Sequence, residues 1–206
     1  MTIRITDQIA EWLEETSRRT KIRKGRIIRE ELERASLLGA KYVMTHLGSF
    51  KDLGQEAGMK QAREGLKKVL VGYEGKSQFL LEIAAGAGEV IGDTFEELAE
   101  LMEPLLKFKT FGGICFDTQH AFSSGYDLRT TDAILSTFKQ FDKVIGLKWL
   151  KMSHINDSKV DLGGKKDRHE HIGDGKIGDV SQFPIALLRE IGKRPQFSRL
   201  VARRLL

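Results

Sequence analysis

Four short apolar runs along this chain each stop abruptly at a histidine or an acidic residue. They are Tyr42-Val43-Met44-Thr45-His46, Phe79-Leu80-Leu81-Glu82, Ile114-Cys115-Phe116-Asp117 and Leu150-Lys151-Met152-Ser153-His154. Runs this short have the length of buried strands rather than of helices. Between them, apolar positions recur at helical spacing. Met59, Ala62, Leu66 and Leu70 form one stripe, Phe95, Leu98 and Leu101 a second, and Leu135, Phe138 and Phe141 a third. Each stripe predicts an amphipathic helix packed on a sheet. Thr94 with Glu97 three residues later makes a capping box, which sets the start of the middle helix.

The chain opens differently. Thr2-Ile3-Arg4-Ile5-Thr6 alternates apolar and polar positions as a half-exposed strand does. Ile9, Trp12, Leu13 and Thr16 then mark a helix that starts near Asp7, a suitable N-cap, and Ile27, Ile28, Leu32 and Ala35 mark another.

Strands alternating with helices imply βαβ units and a parallel sheet. Each strand delivers its histidine or acid at its C-terminal end, so these side chains converge on one rim, where β/α barrels build their sites. Only four strands are clear, half of what a closed barrel needs, so the pattern predicts an incomplete (β/α) barrel or ends that hide poor strands.

Composition adds bounds. With 206 residues, 40% hydrophobic and 31% charged, the chain can bury one core. It holds no apolar run of membrane-span length, and its start is charged where a signal peptide is apolar, so a cytoplasmic protein is expected. A single cysteine, Cys115, excludes an intramolecular disulfide. The net charge of +5 is uneven: residues 181–206 carry six basic and one acidic side chain, while residues 36–180 carry 19 and 21. The excess is a basic tail, not a basic body.

Four of the five histidines fall on or near the expected rim: His46 and His154 at strand ends, His120 just after one, and His169 in the polar segment Asp167-Arg168-His169-Glu170-His171. With Glu82, Asp117 and Asp167 they make seven nitrogen and oxygen donors of the kind zinc and multinuclear hydrolytic sites use. A lone histidine at a strand end is commonly a surface or core residue. Repetition at equivalent places of successive βα units is what that reading leaves unexplained. Asp117 and His120 can serve neighbouring metals from one strand end, and Asp167-x-His169 points both side chains to one face. Gly173-Asp174-Gly175-Lys176-Ile177-Gly178 fits a GxGxxG pattern, but it follows a histidine-rich loop instead of a strand, so it is read as a turn that positions the metal loop.

His46-Leu47-Gly48-Ser49, Leu81-Glu82-Ile83-Ala84-Ala85-Gly86-Ala87-Gly88, Phe116-Asp117-Thr118-Gln119-His120-Ala121-Phe122, His154-Ile155-Asn156-Asp157-Ser158-Lys159 and Asp167-Arg168-His169-Glu170-His171-Ile172-Gly173 resemble, in order, the signature blocks of the endonuclease IV family. The resemblance runs from about Arg29 to about Pro184. It implies a TIM barrel with up to three zinc ions that cuts double-stranded DNA on the 5′ side of an apurinic or apyrimidinic site. It implies that His46 and Glu82 serve a first zinc, Glu82 bridging to a second held also by Asp117 and His154, and that His120, Asp167 and His169 hold a third. Catalysis would be metal-assisted, with water as the attacking group and no protein nucleophile. Lys159 and Arg168, beside the rim, are the expected DNA contacts.

Two departures from the resembled pattern stand out. No histidine precedes His46, and after Pro184 the only acid is Glu190, so two ligands of the family set have no counterpart and only the third site is complete. The competing expectation is therefore a catalytically impaired zinc- or DNA-binding remnant, truncated at both ends. A sugar isomerase, built on a related barrel, is a third reading against which the Asp-Arg-His and Asp-Thr-Gln-His blocks argue. Residues 1–28 resemble a ribbon-helix-helix segment, with Thr2, Arg4 and Thr6 on its groove-facing strand, and equally a divergent barrel start. Residues 29–184 are then the barrel portion and 185–206 the basic tail. Open strand edges of a partial barrel are prone to association, so a marginal monomer or an oligomer is expected.

Overall fold

A computed structural model describes residues 2–4, 24–51 and 53–178. The four apolar runs form strands β2 (Tyr42–Thr45), β3 (Gln78–Glu82), β4 (Phe111–Asp117) and β5 (Leu150–His154). A fifth strand, β1 (Thr2–Arg4), pairs with β2 in register Thr2 to Tyr42 and Arg4 to Met44. All neighbours are parallel, and the order β1-β2-β3-β4-β5 follows the chain. The strand expected from the alternation at Thr2–Thr6 is thus present over Thr2–Arg4, beside the four clear ones and parallel to β2. The helix expected near Asp7, the end of the barrel portion and the basic tail lie outside the described residues.

Helices α1 (Lys24–Leu37), α2 (Gln55–Leu70), α3 (Phe95–Met102) and α5 (Thr131–Val144) occupy the connections, and the short α4 (Thr118–Ser123) follows β4 directly. The stripes bury nearly as expected. Met59, Leu66, Val69 and Leu70 of α2 are buried, while Ala62 is only half-buried. In α5, Ile134 is buried on the inner face and Leu135 is half-buried against the same core. Thr94 caps α3 by accepting from Glu97 N–H at 3.2 Å. The reciprocal arm differs, because the Glu97 carboxylate accepts from Gly92 N–H at 2.7 Å instead. A small hairpin of β6 (Asp157–Ser158) and β7 (His169–Glu170) stands apart from the main sheet.

Strand alternation sends side chains to opposite faces. One face of the sheet meets the helices in a core where Phe95 stacks on Tyr126 at 3.8 Å and meets Phe141 edge-on at 5.2 Å. The other face holds Met44, Leu80 and Cys115, all buried. All seven residues of β4 are buried, as suits a central strand. Gly113 is required there: at φ 138° the backbone disfavours other residues, and a Cβ would run into the Trp149 carbonyl oxygen. Among the described residues no helix is long and apolar enough to cross a membrane.

Candidate metal centre

Glu82, the last residue of β3, is fully buried at the rim. Its carboxylate accepts from His154 Nδ1–H at 2.7 Å, reaching across β4 to the end of β5. His46 Nε2 lies 3.9 Å from the second oxygen and His120 Nδ1 4.0 Å from the first. The ends of β2 and β5 and the start of α4 therefore aim at the carboxylate that ends β3.

Asp117 has two tasks. Its Oδ1 caps α4, accepting from the backbone N–H groups of Gln119 and His120 at 2.9 and 3.1 Å. Its Oδ2 accepts from the Asn156 amide at 2.8 Å and stands 3.5 Å from His154 Nδ1. Burial alone would raise its pKa, but the charge of His120 and the hydrogen bond from His154 outweigh this and hold it at about 2.

The third grouping is the tightest. His120, fully buried, donates from Nδ1 to the Ile83 carbonyl oxygen at 2.9 Å. A carbonyl can only accept, so in the neutral ring the lone pair sits on Nε2. That Nε2 faces His169 Nε2 at 3.3 Å and Asp167 Oδ2 at 3.2 Å, while Asp167 Oδ1 is 2.9 Å from His169 Nε2. Electron-rich atoms directed at one another need a proton or a metal cation between them. In the metal-free chain a proton serves: burial works against it, yet the Asp117 charge and the hydrogen bond to Asp167 raise the His120 pKa to about 9. The donor set, imidazole nitrogens with carboxylate oxygens and a ring oriented through its far nitrogen, suits zinc.

All seven expected donors are thus brought to one rim, in three overlapping groups. Lys159 and Arg168 are exposed beside it: Lys159 Nζ is 3.8 Å from Glu170, and Arg168 donates to the Asp167 carbonyl at 2.7 Å. Cys115, which the sequence reading left without a role, approaches His154 at 3.8 Å and closes a group with Glu82. Burial pushes its thiol up to about 11. For His154, burial is outweighed by hydrogen bonding to Asp117, Cys115 and Glu82, which raises its pKa to about 11. Asn156 carries no sequence signal of its own, although it lies two residues after His154.

A family model described as a xylose isomerase-like TIM barrel matches residues 11–195. The chain belongs to that family. Within the xylose isomerase-like TIM barrel family, it is 42% identical over 150 residues to a protein of Chloroflexus aggregans named probable endonuclease 4, covering 72% of this chain and 52% of that one. A protein of the same name from Nitrosopumilus maritimus is 44% identical over 154 residues, covering 73% and 53%. The crystal structure of endonuclease IV from Thermus thermophilus superposes with a TM-score of 0.65 at 33% identity, covering 85% of this chain and 58% of that chain. The likeness to endonuclease IV expected from the signature blocks is therefore present in sequence and in fold. The chain spans about half the length of the curated relatives it matches.

Proposed function

We propose that this chain carries the metal-holding rim of a zinc-dependent endonuclease that hydrolyses the DNA phosphodiester 5′ to an abasic site. The observation that carries the proposal is the facing of His120 Nε2, His169 Nε2 and the Asp167 carboxylate within 3.3 Å, with the His120 tautomer fixed by Ile83. His120, Asp167 and His169 would hold one ion, Asp117 and His154 a second, and His46 a third, with Glu82 between the last two. Bound zinc supplies Lewis acidity and neutralises phosphate charge. The chain's own part is to present these donors in a preoriented array, with Glu82, Asp117 and His120 buried and His46, His154, Asp167 and His169 half-buried around them. Asn156 orients Asp117, and Ile83 orients the His120 ring. Lys159 and Arg168, exposed beside the loop, would meet the phosphate backbone.

The test is zinc content per chain alongside incision of a duplex bearing one abasic-site analogue, with His154→Ala and His169→Ala as controls. About three zinc ions per chain and incision lost in both variants is the expected result. One ion or fewer with no incision overturns the proposal in favour of an impaired zinc- or DNA-binding remnant.

A further inference from the structure

Asp157 opens the small hairpin with its carboxylate fully buried, and none of the roles above uses it. Its oxygens accept from the backbone N–H groups of Ser158 at 2.7 Å, Gly173 at 3.1 Å, Gly175 at 2.9 Å, Ile177 at 2.9 Å and Gly178 at 3.2 Å. A buried carboxylate is costly unless its lone pairs are filled, and backbone N–H groups fill them well. Four of these donors come from the glycine-rich turn, 16 to 21 residues further along the chain. A Cβ on Gly175 would stand 2.5 Å from both Asp157 Oδ1 and the Ser158 carbonyl oxygen, so the turn closes on the carboxylate only with glycine there.

The turn comes directly after β7, which bears His169. Pairing of β6 with β7 sets Ser158 opposite His169 and Asp157 opposite Glu170. Lys159 N–H donates to the Arg168 carbonyl at 2.9 Å, and Lys176 N–H to the Ser158 carbonyl at 2.8 Å. The other end of the metal loop is tied to α4: Ser123 Oγ accepts from Lys166 N–H at 2.8 Å, and Gln119 donates to the Lys166 carbonyl at 3.0 Å. Since α4 also carries His120, one anchor fixes the loop to that helix. The second anchor, on the far side of His169, is Asp157.

We propose that Asp157 is a positioning residue: by gathering the 173–178 turn it holds β7 on β6 and so sets His169 and Asp167 opposite His120. The consequence for zinc rests on the metal reading above, whereas the geometric part does not. Asp157→Asn places an NH2 group against backbone donors and breaks the anchor. Gly175→Ala pushes the turn off a carboxylate that is still present.

The experiment uses the full chain labelled with 15N. It follows amide exchange at Gly173, Gly175, Ile177 and Gly178, the imidazole 15N signals of His46, His120, His154 and His169, and zinc affinity by competition with a colorimetric chelator. Slow exchange in the wild type, lost in both variants, is expected. The His169 and His120 signals should move while those of His46 and His154 stay, and one zinc site should weaken by roughly 10- to 100-fold. Unchanged His169 signals and unchanged zinc affinity in both variants overturn the proposal, as does fast exchange of these amides in the wild type. If Asp157→Asn does not fold, Gly175→Ala and the wild-type exchange decide. If the wild type takes up no zinc but His169 still shifts in the variants, the anchor stands and the zinc reading falls.

Discussion

His154 Nδ1 stands 2.7 Å from Glu82 Oε1, although the two residues end strands β5 and β3 and a whole strand lies between them. In the metal-free chain this contact needs a proton on His154. The raised pKa values of His154, about 11, and His120, about 9, mean that folding binds these protons more tightly than the unfolded chain does. Their stabilisation is complete below the ordinary histidine pKa of about 6.5 and is lost as pH rises through about 9 and 11. Asp117, held at about 2, acts oppositely: its contribution is present above about 4 and is lost as pH falls towards 2. Chemical denaturation in a chelator should therefore give greatest stability between about pH 4 and 6.5.

Zinc should invert the alkaline limb of that profile. A metal takes the place of the protons, so affinity should rise with pH through the same window. A zinc titration at several pH values checks this, and affinity independent of pH would contradict the histidine donor set.

His169→Ala removes one donor of the tightest group and leaves the Asp117 cap of α4 intact. Zinc at that group should weaken by about 100-fold or more with little change in helix content. Competition titration and circular dichroism together separate this from simple unfolding.

Lys159→Ala and Arg168→Ala remove charges beside the rim. Each should lower the slope of log affinity for duplex DNA against log salt by about one. Fluorescence anisotropy across a salt series measures this directly, and an unchanged slope removes that residue from the DNA contact.

Tyr126 joins core and cap. Its hydroxyl accepts from Phe95 N–H at 2.9 Å while its ring stacks on the Phe95 ring. Tyr126→Phe keeps the stacking and strips a donor of its acceptor, so a loss of about 1 kcal/mol in unfolding free energy is expected.

The parts of the fold visible in the sequence were those with a local rhythm. Apolar runs ending at Glu82 and Asp117 became strands because a central strand of a parallel sheet buries both faces, while the less buried run ending at His154 became β5 by pairing along β4. The convergence of their final residues then follows from parallel pairing alone. Thr2–Arg4 was harder to place, because three alternating residues carry a strand signal but no information about their partner. Asp157 was invisible for a related reason. Its partners are backbone N–H groups at Gly173 to Gly178, and backbone groups leave no mark in a pattern of side chains. Cys115 was legible only as a small apolar residue, and its nearness to His154 depends on the shift in register between β4 and β5 at Ile114 and Cys115.

The order of the main sheet is the order of synthesis, and this bears on how the rim comes together. Each strand adds beside its immediate predecessor, so no early strand has to wait for a distant partner and each closure spans a short stretch of chain. Glu82 ends β3, which lies between the earlier β2 and the later β4, and the stretch bearing His154 follows both in the chain. Synthesis therefore presents the central carboxylate to its neighbouring strands before the last donors, His154, Asp167 and His169, are made.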